Sequence, residues 1–180
     1  MPEDRGPAPV HLAEFVRGLG PAGDVLDLGT GDGLLGAELA ADRLVLADTS
    51  RTALERAARR LPDAAVVPIE PDSPLPFADS AFDLVVCVHV LSHVRDVQLF
   101  LSESRRVLRP GGRLAVATTA HGRGAGLSIL ARGFEPGFNP LSPHLRFFTR
   151  RSLARVLDEL GFEVQALRRG RGDLLAVARR

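Results

Sequence analysis

The sequence is poor in residue types on which several common chemistries depend. A single cysteine, Cys87, excludes an internal disulfide and a metal cage built from several cysteines. There is no lysine, since all 23 basic residues are arginine, and this excludes catalysis through a lysine Schiff base. No apolar run approaches the roughly 20 residues that span a bilayer. Because the N-terminal stretch "MPEDRGPAPV" is also unlike a secretory signal, we expect a cytoplasmic protein with no membrane span.

Length and charge indicate one globular domain with no general preference for nucleic acid. The 180 residues, 45% of them apolar, suit a single domain covering 1–180 with a substantial core. The formal net charge is +1, so no electrostatic argument favours a nucleic-acid partner. We expect the Pro-rich residues 1–9 to be flexible.

Short apolar runs alternate with amphipathic segments along the chain, a pattern typical of a doubly wound α/β sheet. The last two runs, 162–168 and 173–180, are joined too tightly for a parallel crossover, so one of them must be antiparallel. The earlier strands are predicted at 24–29, 43–48, 64–69, 82–89 and 113–119, and helices at 10–19, 34–41, 50–61, 96–108 and 150–160. Thr49 or Ser50 can cap the third of these helices and Thr149 the last.

The stretch "VLDLGTGDGLLG" (25–36) fits two glycine templates. One is the G-x-G-x-x-G of dinucleotide-binding enzymes, and the other is acid-x-Gly-x-Gly-x-Gly, which begins at Asp27. A carboxylate at the end of the first strand would repel a pyrophosphate on the next helix, whereas it could lie near the ammonium group of a ligand with an amino-acid tail. Alternatively, Asp27 only accepts hydrogen bonds from backbone amides of the turn. The first template uses Gly31, Gly33 and Gly36, and the second uses Asp27, Gly29, Gly31 and Gly33.

The glycine motif and several segments that follow it along the chain together carry a resemblance to a known family. They are "VLDLGTGDG" (25–33), Asp48, "LPFADSAFDLVV" (75–86), "RVLRPGGRLAVAT" (106–118) and "HLRFFTRRSLARVLDELGFEV" (144–164). The chain resembles class I S-adenosylmethionine-dependent methyltransferases of the small-molecule type that includes the ubiquinone and menaquinone C-methyltransferases. The resemblance implies a Rossmann-like sheet of seven strands in the order 3-2-1-4-5-7-6, with strand 7 antiparallel, and S-adenosylmethionine as cofactor.

The same resemblance implies which residues contact the cofactor. Asp48 would hold the ribose hydroxyls and Thr49 would lie against the adenine. Pro71 stands where the family usually has the aspartate that meets the adenine amino group, so Glu70 or Asp72 would replace it, with Asp72 preferred. The full implied set of cofactor contacts is Asp27, Gly29, Thr30, Gly31, Gly33, Asp48, Thr49, Asp72 and His89.

Histidines are the candidates for a general base, because among side chains their pKa lies closest to neutrality. His89 ends the fourth strand at the crevice where the methyl group should lie. His144 lies in the segment 121–148, which we expect to fold over the acceptor as a lid. His89 and His93 have metal-ligand spacing, but two histidines without a nearby carboxylate make a poor site, so no metal is predicted. The aromatic residues Phe134, Phe138, Phe147 and Phe148 either support the lid or form an apolar acceptor pocket.

These observations predict a methyltransferase that acts on a small molecule, with oxygen or carbon acceptors favoured. Two alternatives stay open: a protein that binds S-adenosylmethionine without turnover, and a nicotinamide-dependent oxidoreductase that uses the first glycine template. No N-P-P-Y-type tetrapeptide follows the fourth strand, where "CVHV" (87–90) stands, and this disfavours amino-group methylation of bases or glutamine. Because little chain is available to cover the acceptor, a second subunit could complete the site in a homodimer.

Overall fold

The computed structural model describes residues 7–120 and 148–180. Four α-helices and seven strands are formed within these residues, together with a 3₁₀ turn at Gly36–Glu38. The helices are α1 (Val10–Arg17), α2 (Arg51–Arg60), α3 (Val97–Val107) and α4 (Arg150–Glu159). The strands are β1 (Ala22–Leu28), β2 (Ala41–Asp48), β3 (Ala65–Pro68), β4 (Phe82–Val88), β5 (Leu108–Thr119), β6 (Glu163–Gly170) and β7 (Asp173–Arg179).

The strands form one sheet in the order β3-β2-β1-β4-β5-β7-β6. The first five strands are mutually parallel, whereas β7 pairs antiparallel with both β5 and β6. The expected fold and strand order are therefore confirmed. Antiparallel β7 follows from the turn between Gly170 and Asp173, which is too short to return the chain to the other end of the sheet.

Two apolar layers cover the two faces of the sheet. On one face, α1 packs its buried Leu12, Phe15 and Val16 against alternate residues of β1, β4, β5 and β7. On the other face, α3 and α4 pack against the intervening residues of the same strands. Both faces of the central strands are covered, so consecutive residues such as Val85 and Val86 of β4 are both buried, as is usual for parallel strands between two helical layers. No helix in the described part of the chain is long and apolar enough to cross a membrane.

Side-chain caps begin the helices where the sequence predicts them. The Ser50 hydroxyl accepts from the Ala53 backbone N–H at 3.3 Å, so Ser50 rather than Thr49 caps α2. Thr149 caps α4 in a reciprocal arrangement with Ser152, in which each side chain accepts from the backbone N–H of the other. These contacts satisfy backbone donors that would otherwise lack partners in the first turn.

The helix predicted at 34–41 is absent, and this expectation was wrong. Only the 3₁₀ turn Gly36–Glu38 forms there, and Ala41 already belongs to β2, where it pairs with Ala22 of β1. The physical reason is distance. At about 3.3 Å per residue, β1 is roughly 20 Å long, and the chain must travel back over this length to begin β2 beside the start of β1. The residues between Gly33 and Ala41 would cover only about 10 Å as an α-helix. A more extended connection is needed to reach the start of β2.

The segment "LRPGG" also differs in detail from the expectation. Helix α3 ends at Val107, before Pro110, and Leu108 already pairs with Phe82 as the first residue of β5. The register then shifts, so that Leu84 pairs with Arg113. Gly112 is needed in this bulge because a Cβ there would lie 2.9 Å from the Arg109 carbonyl oxygen. The predicted helix 96–108 and strand 113–119 left residues 109–112 between them, whereas these residues lie inside β5.

Candidate active site

The turn after β1 brings backbone close to the site that the sequence predicts. Gly29 has φ +80°, and a Cβ at this position would collide with the Val90 side chain, which follows β4. Gly33 has φ +74° and lies against Ala57 of α2. Glycine is required at both positions because a side chain would meet both a strained backbone and an occupied space. Gly31 also has positive φ, but the space beside it is open.

Asp27 lies beneath this turn, on β1, and is only 3% exposed. Its Oδ2 accepts a hydrogen bond from the Thr30 hydroxyl at 2.7 Å, so its observed partner is a side chain rather than a backbone amide. No arginine or histidine of the described residues forms an ion pair with it. Burial, opposed by the Thr30 hydrogen bond and reinforced by the negative charge of Asp48, raises the pKa of Asp27 to about 6. A buried anion without a counter-charge makes this position attractive to a cation.

Asp48 ends β2 and connects the glycine turn to the start of α2. Its Oδ2 accepts from the Gly31 backbone N–H and its Oδ1 from the Ser50 backbone N–H, both at 2.8 Å. The carboxylate is therefore held in one orientation at the carboxyl end of the sheet, where ligands bind in open α/β folds. Each oxygen keeps a lone pair that can accept from a hydroxyl group.

A cavity of about 470 Å³ opens at this edge of the sheet, within the range of small-molecule sites. Of the predicted cofactor contacts, the cavity brings together Gly29, Asp48, Thr49, Asp72 and His89. Asp27, Thr30, Gly31 and Gly33 are not among its lining residues. They form the turn and its buried support next to it. The apolar lining comes from residues that the sequence analysis did not single out, including Leu28, Ile69, Val90, Leu99 and Phe100.

Asp72 lies at the cavity but is engaged with the loop before α3. Its Oδ1 accepts from the Asp96 backbone N–H at 3.2 Å, and its Oδ2 lies 3.4 Å from Arg95 Nε. Asp72 has φ 49°, a backbone conformation that aspartate adopts more readily than most residues. Glu70 and Pro71 line the same wall. The assignment of Asp72 to the adenine stays a prediction, because Glu70 is placed at the same wall.

His89 follows β4 directly and borders the cavity, with its side chain 44% exposed. Its Nε2 lies 3.1 Å from Oδ1 of Asp173, the first residue of β7. The other carboxylate oxygen of Asp173 lies 2.8 Å from Nε2 of His11 on α1. The sequence analysis missed both His11 and Asp173. For Asp173 a signal existed: an antiparallel last strand must begin at the edge where the parallel strands end.

Other predicted residues have plainer surroundings. Cys87 is a buried thiol whose pKa is raised by burial and by the negative charge of Asp27, so it is not a ready nucleophile. The His93 backbone N–H donates to the Val90 carbonyl at 2.8 Å, and His93 borders the cavity. Within residues 7–120 and 148–180, no group of three His, Cys, Asp or Glu side chains is arranged to hold a metal ion.

The predicted lid lies almost wholly outside the described residues. His144, the second candidate base, and the aromatic residues Phe134, Phe138 and Phe147 belong to this undescribed part. Phe148 is described: it forms a bridge with Ala120 and is 7% exposed in the apolar core on the α3 side. For Phe148, therefore, packing is the observed role.

The charges of the site fit S-adenosylmethionine better than a dinucleotide. The cavity wall is predominantly acidic, and the buried Asp27 adds a further carboxylate behind the glycine turn. A compound with an ammonium and a sulfonium group is attracted by this field, whereas a diphosphate is repelled. The charged residues of the wall are Asp48, Glu70, Asp72, Asp96 and Glu103 with Arg95. This sheet order, glycine turn and acidic site define the class of S-adenosylmethionine-dependent methyltransferases.

Comparisons with known proteins agree with this class. The family described as "Methyltransferase domain" matches residues 26–116. Demethylmenaquinone methyltransferase of Beutenbergia cavernae is 43% identical over 102 residues, covering 56% of this chain and 42% of the relative. Malonyl-[acyl-carrier protein] O-methyltransferase of Methylococcus capsulatus is 32% identical over 178 residues, covering 92% and 63%. The chain belongs to the methyltransferase domain family, with S-adenosylmethionine as cofactor.

A solved structure shows the same fold. The S-adenosylmethionine-dependent methyltransferase from Mesorhizobium loti superposes with a TM-score of 0.71 over 95% of this chain and 96% of the other, at 19% identity. At that identity the likeness concerns the fold. The chain spans about half the length of the curated relatives it matches.

Proposed function

We propose that this chain transfers a methyl group from S-adenosylmethionine to a small molecule, with an oxygen or carbon atom as acceptor. The observation that carries the proposal is the buried, uncompensated carboxylate of Asp27 beneath the glycine turn. In this proposal Asp27 faces the ammonium group, Asp48 accepts from the ribose hydroxyls, and the wall from Ile69 to Asp72 lies against the adenine. The bound cofactor supplies an activated methyl group, so the protein mainly positions the acceptor.

The curated relatives support the acceptor class. One relative is named a ubiquinone/menaquinone biosynthesis C-methyltransferase and another a malonyl-[acyl-carrier protein] O-methyltransferase, so carbon and oxygen acceptors both occur among proteins similar to this chain. The cavity has an apolar wall that includes Leu99 and Phe100, which suits an acceptor with an apolar body. Whether a second subunit covers the acceptor, as the sequence suggested, stays a prediction, as does the assignment of 1–180 to one domain.

Titration calorimetry with S-adenosylhomocysteine tests the cofactor site. We expect the wild-type protein to bind, and Asp27→Asn to lose at least about tenfold in affinity, or 1.4 kcal/mol, because the neutral amide no longer attracts the ammonium group. Asp63→Asn, which makes the same change at an exposed position, is the matched control and should bind like the wild type. No binding to the wild type at millimolar ligand would contradict the proposal.

A protein that holds the cofactor without turnover is the second candidate. The observation in its favour is the engagement of Asp72 with Arg95 and the Asp96 amide, beside Pro71 in the place of the expected aspartate. Transfer of a labelled methyl group from S-adenosylmethionine to any component of a cell extract would exclude this candidate. Binding of S-adenosylhomocysteine without any such transfer would favour it.

A further inference from the structure

Three side chains from distant parts of the sequence meet beside the cavity, and two of them, Asp173 and His11, are not among the predicted cofactor contacts. Asp173, 5% exposed, places one carboxylate oxygen 2.8 Å from His11 Nε2 and the other 3.1 Å from His89 Nε2. We call this group the His–Asp–His cluster. A carboxylate that is nearly removed from water is stabilised by hydrogen-bond donors such as the imidazole N–H groups. The burial of Asp173 therefore depends on its contacts with His11 and His89.

The fold brings this cluster to the carboxyl edge of the sheet. Asp173 pairs with Thr119 at the end of β5, because antiparallel β7 starts where the parallel strands stop. His89 is the first residue beyond β4. His11 lies on α1, the helix that covers one face of the sheet. Each member is thus carried by a different element that is itself anchored in the core.

The backbone at His89 is held in an unfavourable conformation. Its φ is 58°, in the left-handed region, and its N–H donates to the Ala117 carbonyl at 2.7 Å. A non-glycine residue there costs on the order of 1–3 kcal/mol, and such residues cluster at functional sites. In this conformation the His89 side chain contacts Asp173, and His89 borders the cavity.

The contact with Asp173 determines which imidazole nitrogen of His89 can accept a proton. An ionised carboxylate has only acceptors, so the nitrogen that faces it, Nε2, carries the hydrogen in the neutral ring. Nδ1 is then the basic nitrogen. Asp173 is placed to stabilise the imidazolium that forms when Nδ1 takes a proton, as the buried aspartate of a Ser-His-Asp triad does. His11 occupies the second oxygen of Asp173 and so fixes the carboxylate.

We propose that His89, oriented by Asp173 and His11, removes a proton from the methyl acceptor. This inference rests on the proposed function and narrows its substrate class to molecules with an ionisable hydroxyl group or an acidic C–H. The acceptor proton passes to Nδ1, and the electron pair left on the acceptor forms the bond to the methyl carbon. The pair of the carbon–sulfur bond returns to sulfur, and the proton on His89 is later released to water. Asp173 and His11 are positioning residues.

Other titratable and charged groups line the cavity that His89 borders. Within the cluster itself, the other titratable groups are Asp173 and His11. The remaining titratable or charged groups that line the same cavity are Asp48, Glu70, Asp72, His93, Arg95, Asp96 and Glu103.

The first test reads the tautomer without any acceptor. In ¹⁵N NMR spectra of the wild-type protein, we expect neutral His89 to carry its hydrogen on Nε2. Asp173→Asn should weaken this preference, because an amide can present either a donor or an acceptor to the ring. A wild-type His89 with its hydrogen on Nδ1 would overturn the proposal, whether or not S-adenosylhomocysteine binds.

The second test measures methyl transfer from S-adenosylmethionine to a series of phenols and enols of graded acidity. For acceptors that are neutral at the assay pH, His89→Gln should lower kcat by 10²–10⁴-fold, the usual contribution of a general base. For acceptors that are already ionised, the loss should be below about tenfold. Asp173→Asn should lose rate in the same pattern, whereas His11→Gln, which can still donate to Asp173, should lose less.

The outcomes separate this inference from the proposed function. If S-adenosylhomocysteine does not bind the wild type, the proposed function fails. If it binds with equal affinity to the wild type and to His89→Gln, but the rate loss is the same for neutral and ionised acceptors, His89 is not the base. If the wild type binds the cofactor product and methylates no phenol or enol of the series, the assigned acceptor class is wrong.

Discussion

Asp27 has opposite consequences for folding and for binding. Its pKa in the folded chain is about 6, against 3.8 for an unperturbed aspartate, mainly because of burial. Between these values the folded state binds more protons than the unfolded state, so the unliganded protein loses stability as pH rises from about 4 to about 6. A difference of this size corresponds to about 3 kcal/mol once Asp27 is fully ionised.

Asp27→Asn should therefore stabilise the unliganded protein at neutral pH, by up to about 3 kcal/mol, while it weakens ligand binding. The isosteric amide can still accept from the Thr30 hydroxyl. Urea unfolding at pH 4, 5, 6 and 7 checks this, with the difference between variant and wild type as the readout. The comparison with the wild type is needed because other carboxyl groups change the stability in the opposite direction. Asp24, Asp83 and Glu103 interact with arginines and have lowered pKa values, so their contribution to stability is lost as pH falls. If the difference in the free energy of unfolding between the variant and the wild type were equal at all four pH values, the prediction would be wrong.

Sequence patterns predicted single residues well where one local rule decides. Asp27 next to the last residue of β1, Asp48 at the end of β2 and His89 directly after β4 could be placed at the carboxyl edge, because each stands at or beside the end of a buried apolar run. Asp173 and His11 could not be found in this way. For Asp173 the available signal is the antiparallel direction of the last strand, which is a matter of topology and not of local pattern. Its contact with His11 depends on the position of α1 over the sheet, which leaves no local signal.

At the scale of elements, α3 holds the loop that forms one side of the cavity. Arg106 donates to the carbonyls of Phe77 and Leu75, at 2.8 and 2.9 Å, and pairs with Glu103 and Asp79 at 2.7 Å. Glu103 in turn accepts from the Leu75 backbone N–H at 2.7 Å. This arrangement gives the segment "LPFADS" (75–80) a physical role: its backbone is fastened to a helix in the core.

Arg106→Gln should lower the free energy of unfolding by about 2 kcal/mol, since hydrogen bonds that involve a charged group are worth about 1.5–3 kcal/mol. Arg155→Gln is the matched control, because Arg155 and Glu159 form an exposed pair on α4. Such pairs contribute about 0.3–0.5 kcal/mol. Denaturant midpoints of both variants check the prediction, and equal losses would show that the loop does not depend on Arg106.

Elements were predictable where apolar periodicity and capping agree, and not where geometry across the sheet decides. Ser50 and Thr149 cap helices as the sequence indicates, and the strands were located to within a few residues. The segment after Gly33 has helical composition, yet it must span the height of the sheet with too few residues for an α-helix. The requirement to reach Ala41 overrides the local preference, and only the completed sheet imposes it.

For the molecule as a whole, the family and the acidic site predict a selective response of thermal stability to ligands. A ligand that binds only the folded state stabilises it by about 2.7 kcal/mol at one hundred times its Kd. For a chain of this size each kcal/mol corresponds to roughly 2–4 °C in Tm, so saturating S-adenosylhomocysteine should raise Tm by about 5–10 °C. NADH at the same concentration should leave Tm unchanged, because its diphosphate would lie on the glycine turn above the buried carboxylate of Asp27.

Two comparisons decide whether that response comes from the glycine turn and its carboxylates. In Asp27→Asn the shift caused by S-adenosylhomocysteine should shrink even though the starting Tm at neutral pH is higher, a combination that a general loss of folding cannot produce. In Asp63→Asn the shift should equal that of the wild type. A rise in Tm with NADH but not with S-adenosylhomocysteine would instead favour the dinucleotide template of Gly31, Gly33 and Gly36, and would mean that the acidic wall does not select the ligand.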